Sequence, residues 1–310
     1  MRVSSLHSTW FFILAVNLGQ AFVLKSPAVR LQTVSSLRLA KSAPNRICMS
    51  QASSPEAPTT PLPRGGKPLR EIDNPKPKLW VYDHCPYCVR ARMALGVKGV
   101  EHDLAFLSND DVDTPSSMIG KKMVPILELG RPGSESHELL AESLDIVRRV
   151  DEDATFGPPV LAPASGRADL DGWLNSVAMV IRRLTYPRNA ITPLPEFQTR
   201  SARDAYARNH PLPEPRASYT ENLQNSPALI EELERGLWAL EPMIHSPEGV
   251  SPPPSGDDST AKMSYDDIVF FPKMRSLTII RGLGIPPKLR AYLDTVSESC
   301  DIPLYDKFAS

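Results

Sequence analysis

The sequence predicts an α/β N-terminal domain joined to an all-α C-terminal domain. Three observations lead there. Between residues 78 and 153, short β-branched and aromatic runs alternate with stretches of helical spacing. After Gly166 the apolar residues keep the i, i+3, i+4 spacing of helix faces. Between these regions, residues 154–166 hold Gly157, three prolines and Gly166, the composition of a linker. At 310 residues the chain is long enough for about two domains of ~100–200 residues each.

The first ordered element is the run Leu79-Trp80-Val81-Tyr82, read as a strand that turns at Asp83-His84. Residues 86–98 follow as a helix with Val89, Met93 and Val97 on one face and Pro86 in the first turn, where proline is tolerated. A second strand is expected near 101–107. Asn109-Asp110-Asp111 offers N-caps for a short helix near 112–120. Val124-Pro125-Ile126-Leu127-Glu128-Leu129 reads as a third strand, and a hairpin through Arg131-Pro132-Gly133 leads to a fourth near 136–139. Helix 142–152 closes the unit on Leu144, Val147 and Val150. The order β-α-β-α-β-β-α is the thioredoxin-like layout. Proline is disfavoured in a central strand, so a cis bond is expected between Val124 and Pro125.

In the second domain, residues 167–310, Leu170, Trp173, Leu174, Val177, Ile181 and Leu184 mark one buried helix face. Ser226-Pro227 is expected to start another helix as N-cap and first helical residue, with Ile230, Leu233, Leu237, Leu240 and Ile244 buried. Segment 188–225, with Arg188, Arg200, Arg203 and Arg208, is expected to be irregular, and 246–261 to be a loop. Ser264 and Asp267 form an expected capping box with an acid in place of the usual Glu or Gln, stapled by Met263 against Ile268. Pro272 predicts a kink or break near Phe271.

The formal net charge of −1 gives no reason to expect nucleic acid as a partner. The balance is uneven, however. Residues 1–50 carry six basic residues and no acid. Residues 10–16 (Trp-Phe-Phe-Ile-Leu-Ala-Val) read as a signal-peptide core, too short for an ordinary membrane-spanning helix of ~20 residues. Residues 1–22 are therefore expected to be a signal peptide and 23–50 a transit-peptide-like segment. The pair resembles the bipartite leaders of algae with plastids of secondary origin, which implies plastid delivery; the alternative is the secretory pathway. Residues 51–77, rich in Pro, Ser, Thr and Gly, read as a disordered lead-in. No stable membrane association is expected once the leader is gone.

Four cysteines are too few for a disulfide scaffold, and two of them form Cys85-Pro86-Tyr87-Cys88. Cys85 follows a strand and opens a helix, so its sulfur would face free N–H groups at the positive helix end. That favours the thiolate, the attacking form in disulfide exchange. Cys88, one turn on, is placed to resolve a mixed disulfide. Half of a zinc site would need a second ligand pair, and Cys300, His210 and His245 stand alone, so no metal is expected. Arg90 and Arg92 read as solvated helix charges, and Cys300 as a small apolar residue under the C-terminal segment.

The runs Tyr82-Asp83-His84-Cys85-Pro86-Tyr87-Cys88, Ala91-Arg92-Met93, Asn109-Asp110-Asp111, Val124-Pro125-Ile126-Leu127 and Glu142-Ser143-Leu144-Asp145-Ile146-Val147 resemble the large bacterial two-domain glutaredoxins, the glutaredoxin 2 type. Asp266-Asp267-Ile268, Phe271-Pro272, Arg275 and Leu277-Thr278 extend the resemblance, which covers residues 78–305. It implies a glutathione-transferase-like two-domain architecture, a monomer, and glutathione as co-substrate. The protein would reduce disulfide-bonded and glutathionylated proteins with Cys85 as nucleophile and Cys88 as resolving thiol. The backbone of Val124, beside cis Pro125, would pair with the cysteinyl part of glutathione. Ser143 would hold the γ-glutamyl carboxylate at a helix N-terminus, Glu142 would meet the ammonium, and Tyr87 would contact glutathione or shield the thiols. Two other readings stay open: a cysteine-type glutathione transferase or dehydroascorbate reductase, which commonly lacks the second cysteine, and a non-enzymatic module that binds an iron–sulfur cluster.

Overall fold

The computed structural model describes residues 75–253 and 263–310. The leader, nearly all of the lead-in and part of the 246–261 loop lie outside the described residues. Four strands form one mixed sheet in the order β2-β1-β3-β4. Strand β1 (Lys78–Val81) runs parallel to β2 (Asp103–Phe106) and antiparallel to β3 (Ile126–Leu129), which pairs antiparallel with β4 (Glu138–Ala141). Period-two alternation buries Leu79 and Val81 completely on β1, one of the two interior strands. Strand β2 forms an edge, and its Leu104 and Phe106 stay exposed. The fourth strand begins at Glu138, two residues later than expected, because a turn through Ser134 and His137 extends the hairpin.

Helices α1 (Pro86–Val97) and α3 (Ser143–Glu152) pack together, with α2 (Asp113–Ile119) between β2 and β3 in the chain. Val89 and Met93 are buried as expected. On α3 the apolar face is Ile146, Val147 and Val150. Leu144 is exposed instead, because Ser143 rather than Leu144 turns inward at the helix start. Val112 occupies the N-cap position of α2, and Asp111 just before it accepts the Thr114 N–H at 2.9 Å.

The second half is helical. Helix α4 (Ala168–Ile191) is its spine, packed by α5 (Arg200–Asn209), α6 (Tyr219–Gln224) and α7 (Ser226–Leu240). The expectation of an irregular 188–225 segment is therefore wrong. Helix α4 runs on through Pro187, and buried Arg188 anchors its end by donating to the carbonyls of Leu184 and Ser310 and to Ser226 Oγ. Asn225 rather than Ser226 occupies the N-cap position of α7, without a side-chain capping bond, and the helix buries Leu229 ahead of Ile230. The Ser264–Asp267 capping box is present at the start of α8 (Tyr265–Arg275), with Met263 and Ile268 both buried. Pro272 does not break α8, which continues to Arg275; α9 (Pro287–Ser299) follows.

Helix α1 packs on α3 and also on α8 of the helical half. At its C-terminal end Gly96 lies against the backbone of Cys300, where a Cβ would come 2.1 Å from the Cys300 carbonyl oxygen. Only glycine permits that approach.

Candidate functional site

Strand β1 ends in the turn Tyr82-Asp83-His84, and Cys85 caps α1 with extended backbone while Pro86 opens the helix. Cys85 is half-buried and Cys88 is fully buried beneath it. A hydrogen bond from Cys88 is the main cause that brings the Cys85 thiol down to about 7. Burial opposes this, while charge on His84 and the backbone N–H groups of Cys88 and Tyr87 add to it. Burial pushes the Cys88 thiol well above the ordinary thiol value, and the neighbouring Cys85 pushes it further. Its sulfur accepts the Tyr82 N–H at 3.4 Å. One thiol is thus poised to ionise near neutrality and the other to keep its proton.

The turn before Cys85 is gripped from the helical half on two residues. Arg275, fully enclosed, donates to the Asp83 carboxylate at 3.1 Å and to its carbonyl at 2.9 Å, and the Tyr305 hydroxyl donates to that carbonyl at 2.8 Å. Arg92 reaches the same carboxylate at 2.7 Å. Burial pushes the Asp83 carboxyl up, but Arg275 and Arg92 outweigh it and hold it below the usual carboxylate range. Glu196 holds His84: one oxygen, Oε1, accepts the His84 backbone N–H at 2.9 Å and lies 2.6 Å from its Nδ1. Arg92 is therefore buried, not solvated, because Asp83 supplies its charge partner. Arg90 is half-buried too: its guanidinium lies 4.9 Å over the Tyr87 ring, and NH1 donates to Ser143 Oγ at 3.5 Å.

The peptide bond Val124–Pro125 is cis. Val124 sits ahead of the ladder, which begins at the Ile126–Trp80 pair. Its backbone is thus free of the sheet while its side chain is buried. Glu142 has a positive φ of 70°, is exposed, and pairs with Lys121 at 3.2 Å. Ser143 is the first residue of α3 rather than its cap.

A cavity of about 560 Å³ opens between the two halves. Cys85, Tyr87 and Val124 line it from the α/β side; Tyr186, Tyr206 and His210 line it from the helical side. Pro125, Glu142 and Ser143 do not line it, and Ser143 connects to it through Arg90 and Tyr87. Sequence reasoning missed Glu196, Arg275 and Tyr305 as parts of the site. Among the described residues no group of three or more His, Cys, Asp or Glu side chains is arranged to hold a metal ion.

Two family models match. Residues 84–153 match the glutathione S-transferase N-terminal domain, and residues 169–309 match the glutaredoxin 2 C-terminal domain. The chain is 33% identical to glutaredoxin 2 of Escherichia coli strain K12 over 232 residues, 75% of this chain and 99% of that protein. The crystal structure of glutaredoxin 2 from Salmonella typhimurium in complex with glutathione is 35% identical, with a TM-score of 0.65 over 76% of this chain and 99% of that one.

Proposed function

This chain belongs to the glutaredoxin 2 family, and we propose the roles that its own residues take in that chemistry. The protein is a glutathione-dependent thiol oxidoreductase with glutathione as co-substrate. One observation carries the assignment of roles: within a single helical turn, Cys85 is brought down to about 7 while Cys88 is held well above the ordinary thiol value. A thiol brought down toward neutrality supplies the thiolate, and the thiolate is the nucleophile.

In the glutathionylated branch, Cys85 thiolate attacks the glutathione sulfur of a mixed disulfide. The substrate S–S bond breaks, the protein thiolate leaves and takes a proton, and Cys85 carries the glutathionyl group. A second glutathione thiolate attacks that sulfur, releasing oxidised glutathione and restoring Cys85 thiolate. In the disulfide branch, Cys85 first forms a mixed disulfide with the protein substrate. Cys88 then loses its proton and displaces the substrate thiol, closing a Cys85–Cys88 disulfide that two glutathiones reduce in turn. Only this second branch uses Cys88.

For glutathione itself, the backbone of Val124, next to Pro125 and outside the ladder, offers antiparallel pairing to the cysteinyl unit. Ser143 Oγ and the free N–H groups of the ten-residue helix α3 suit the γ-glutamyl carboxylate, and exposed Glu142 suits the ammonium. Tyr87, 54% exposed and backed by Arg90, supplies a flat wall beside the sulfur. The basic leader supports delivery to a plastid, which a fusion of residues 1–77 to a fluorescent protein would test.

The direct test is deglutathionylation of a mixed-disulfide substrate with glutathione as reductant. Cys85→Ser is expected to abolish turnover, and Cys88→Ser to retain most of it while losing reduction of protein disulfides. Full activity in Cys85→Ser would remove the assignment.

A further inference from the structure

Glu196 is fully buried, 112 residues from His84 in the chain, and its second oxygen Oε2 has no hydrogen-bond partner among the described residues. A buried carboxylate with an idle oxygen is costly unless an opposite charge compensates it. Among the described residues its one ionisable hydrogen-bond partner is His84 Nδ1, at 2.6 Å. The turn Pro195–Phe197 that carries it is itself locked. The Glu196 carbonyl accepts the Asn109 N–H at 3.0 Å, Phe197 is fully buried, and Arg203 Nε donates to the Phe197 carbonyl at 2.8 Å. The His84 ring is also clamped sterically, 4.9 Å from both Phe197 and Tyr206 and 5.8 Å from Tyr82, with which it stacks. Such a rigid mount for one imidazole sits directly before the nucleophile, and His84 and Cys85 line the same cavity.

We propose that Glu196 is a positioning residue of the helical half, which fixes the tautomer and charge of His84 and through it sets the thiolate population of Cys85. A carboxylate that accepts the Nδ1 N–H in a hydrogen bond fixes the ring's tautomer and sets a negative charge against it. Charge on His84 is one of the influences that lower the Cys85 thiol. Titratable groups around the pair include Tyr82 and Cys88 on the α/β side, Arg90 of α1, and Tyr206, His210 and Tyr305 of the helical half. Burial raises the three tyrosines and Cys88 and lowers Arg90 and His210. Tyr82, Tyr206 and His210 are thereby held neutral near pH 7. Glu196 acts directly on Cys88 in the opposite sense, since its negative charge contributes to raising that thiol. Its benefit to the thiolate therefore has to run through His84.

The proposal rests on Cys85 being the nucleophile, and the test reads the thiol rather than turnover. Iodoacetamide alkylation of Cys85, resolved by peptide mass spectrometry, is followed against pH in the full chain. Wild type is expected to show a midpoint near 7. Glu196→Gln, which preserves shape, is expected to slow alkylation about tenfold at pH 6 and to leave the rate at pH 9.5 unchanged, a midpoint rise of about one unit. His84→Asn is expected to raise the midpoint similarly, and Glu196→Gln added to His84→Asn to raise it no further. An unmoved midpoint in folded Glu196→Gln overturns the proposal, as does an equal rise in the His84→Asn background. If Glu196→Gln fails to fold, a wild-type midpoint in His84→Asn overturns it alone. A wild-type midpoint at the ordinary thiol value, about 8.5, would instead strike the nucleophile assignment.

Discussion

Each end of helix α1 meets a cysteine, Cys85 as its own N-cap residue and Cys300 from the end of α9, and the two could hardly differ more. At the N-terminal end Cys85 caps the helix, is half-buried, and has its thiol brought down to about 7, first by the hydrogen bond from Cys88. At the C-terminal end Cys300 packs its backbone on Gly96, is 3% exposed, and has its thiol pushed up to about 12 by burial, with Asp267 adding to the effect. At the first end the free N–H groups of the helix favour an anion; at the second only the backbone of Cys300 meets α1, and burial with Asp267 sets its thiol. The two ends are also fastened differently. The first is held by charged and polar groups reaching across from the helical half, the second by close contact of backbone on backbone. Reactivity here is a property of a thiol's surroundings, not of cysteine itself.

The largest expected effect tests that contrast directly. At pH 7.5 the folded chain should alkylate at Cys85 faster than at Cys300 by at least about a hundredfold, because the far smaller thiolate fraction of Cys300 outweighs the higher intrinsic nucleophilicity of its thiolate. Comparable rates in the folded state, read by peptide mass spectrometry, would erase the distinction.

Next comes the polar fastening. Arg275→Leu leaves Asp83 buried beside a single remaining guanidinium, and chemical denaturation should show a loss of about 3–5 kcal/mol. The Asp83 carboxyl is lower in the folded chain than in the unfolded one. Its contribution is therefore complete above about pH 4 and disappears as pH falls through the folded value. The stability difference between wild type and Arg275→Leu should accordingly shrink on acidification; a difference independent of pH would mean that the pair does not fasten this end.

The smallest effect belongs to the other end. Gly96→Ala drives a methyl into the Cys300 carbonyl, and a loss of about 1–3 kcal/mol is expected. The alkylation midpoint of Cys85 should stay where it is. If that midpoint moves, the two ends are coupled along the helix and the comparison needs revising.

What the sequence revealed about this site is what local chemistry can encode. The Cys-x-x-Cys turn, the cis bond before Pro125 and the Ser264–Asp267 capping box each lie within a few residues, and each is found in place. Asp83–Arg275 spans 192 residues and His84–Glu196 spans 112. Neither pairing leaves a local signature, so Asp83 and His84 read only as a turn and Arg92 as a solvated charge. Segment 188–225 was misread for a related reason. Prolines and arginines there suggested irregularity, yet Arg188 is buried because the C-terminal carbonyl of Ser310 and the Ser226 hydroxyl come to meet it. Tertiary partners overrode local composition.

The placement of α1 between α3 and α8 bears on how such a protein can be taken apart. A fragment ending at residue 153 would keep the whole sheet and both cysteines of the motif. It would lack Arg275, Tyr305 and Glu196, and it would bare the flank of α1 that α8 covers. The redox motif is therefore not a portable cassette: grafted or expressed alone, it would keep its spelling and lose its grammar.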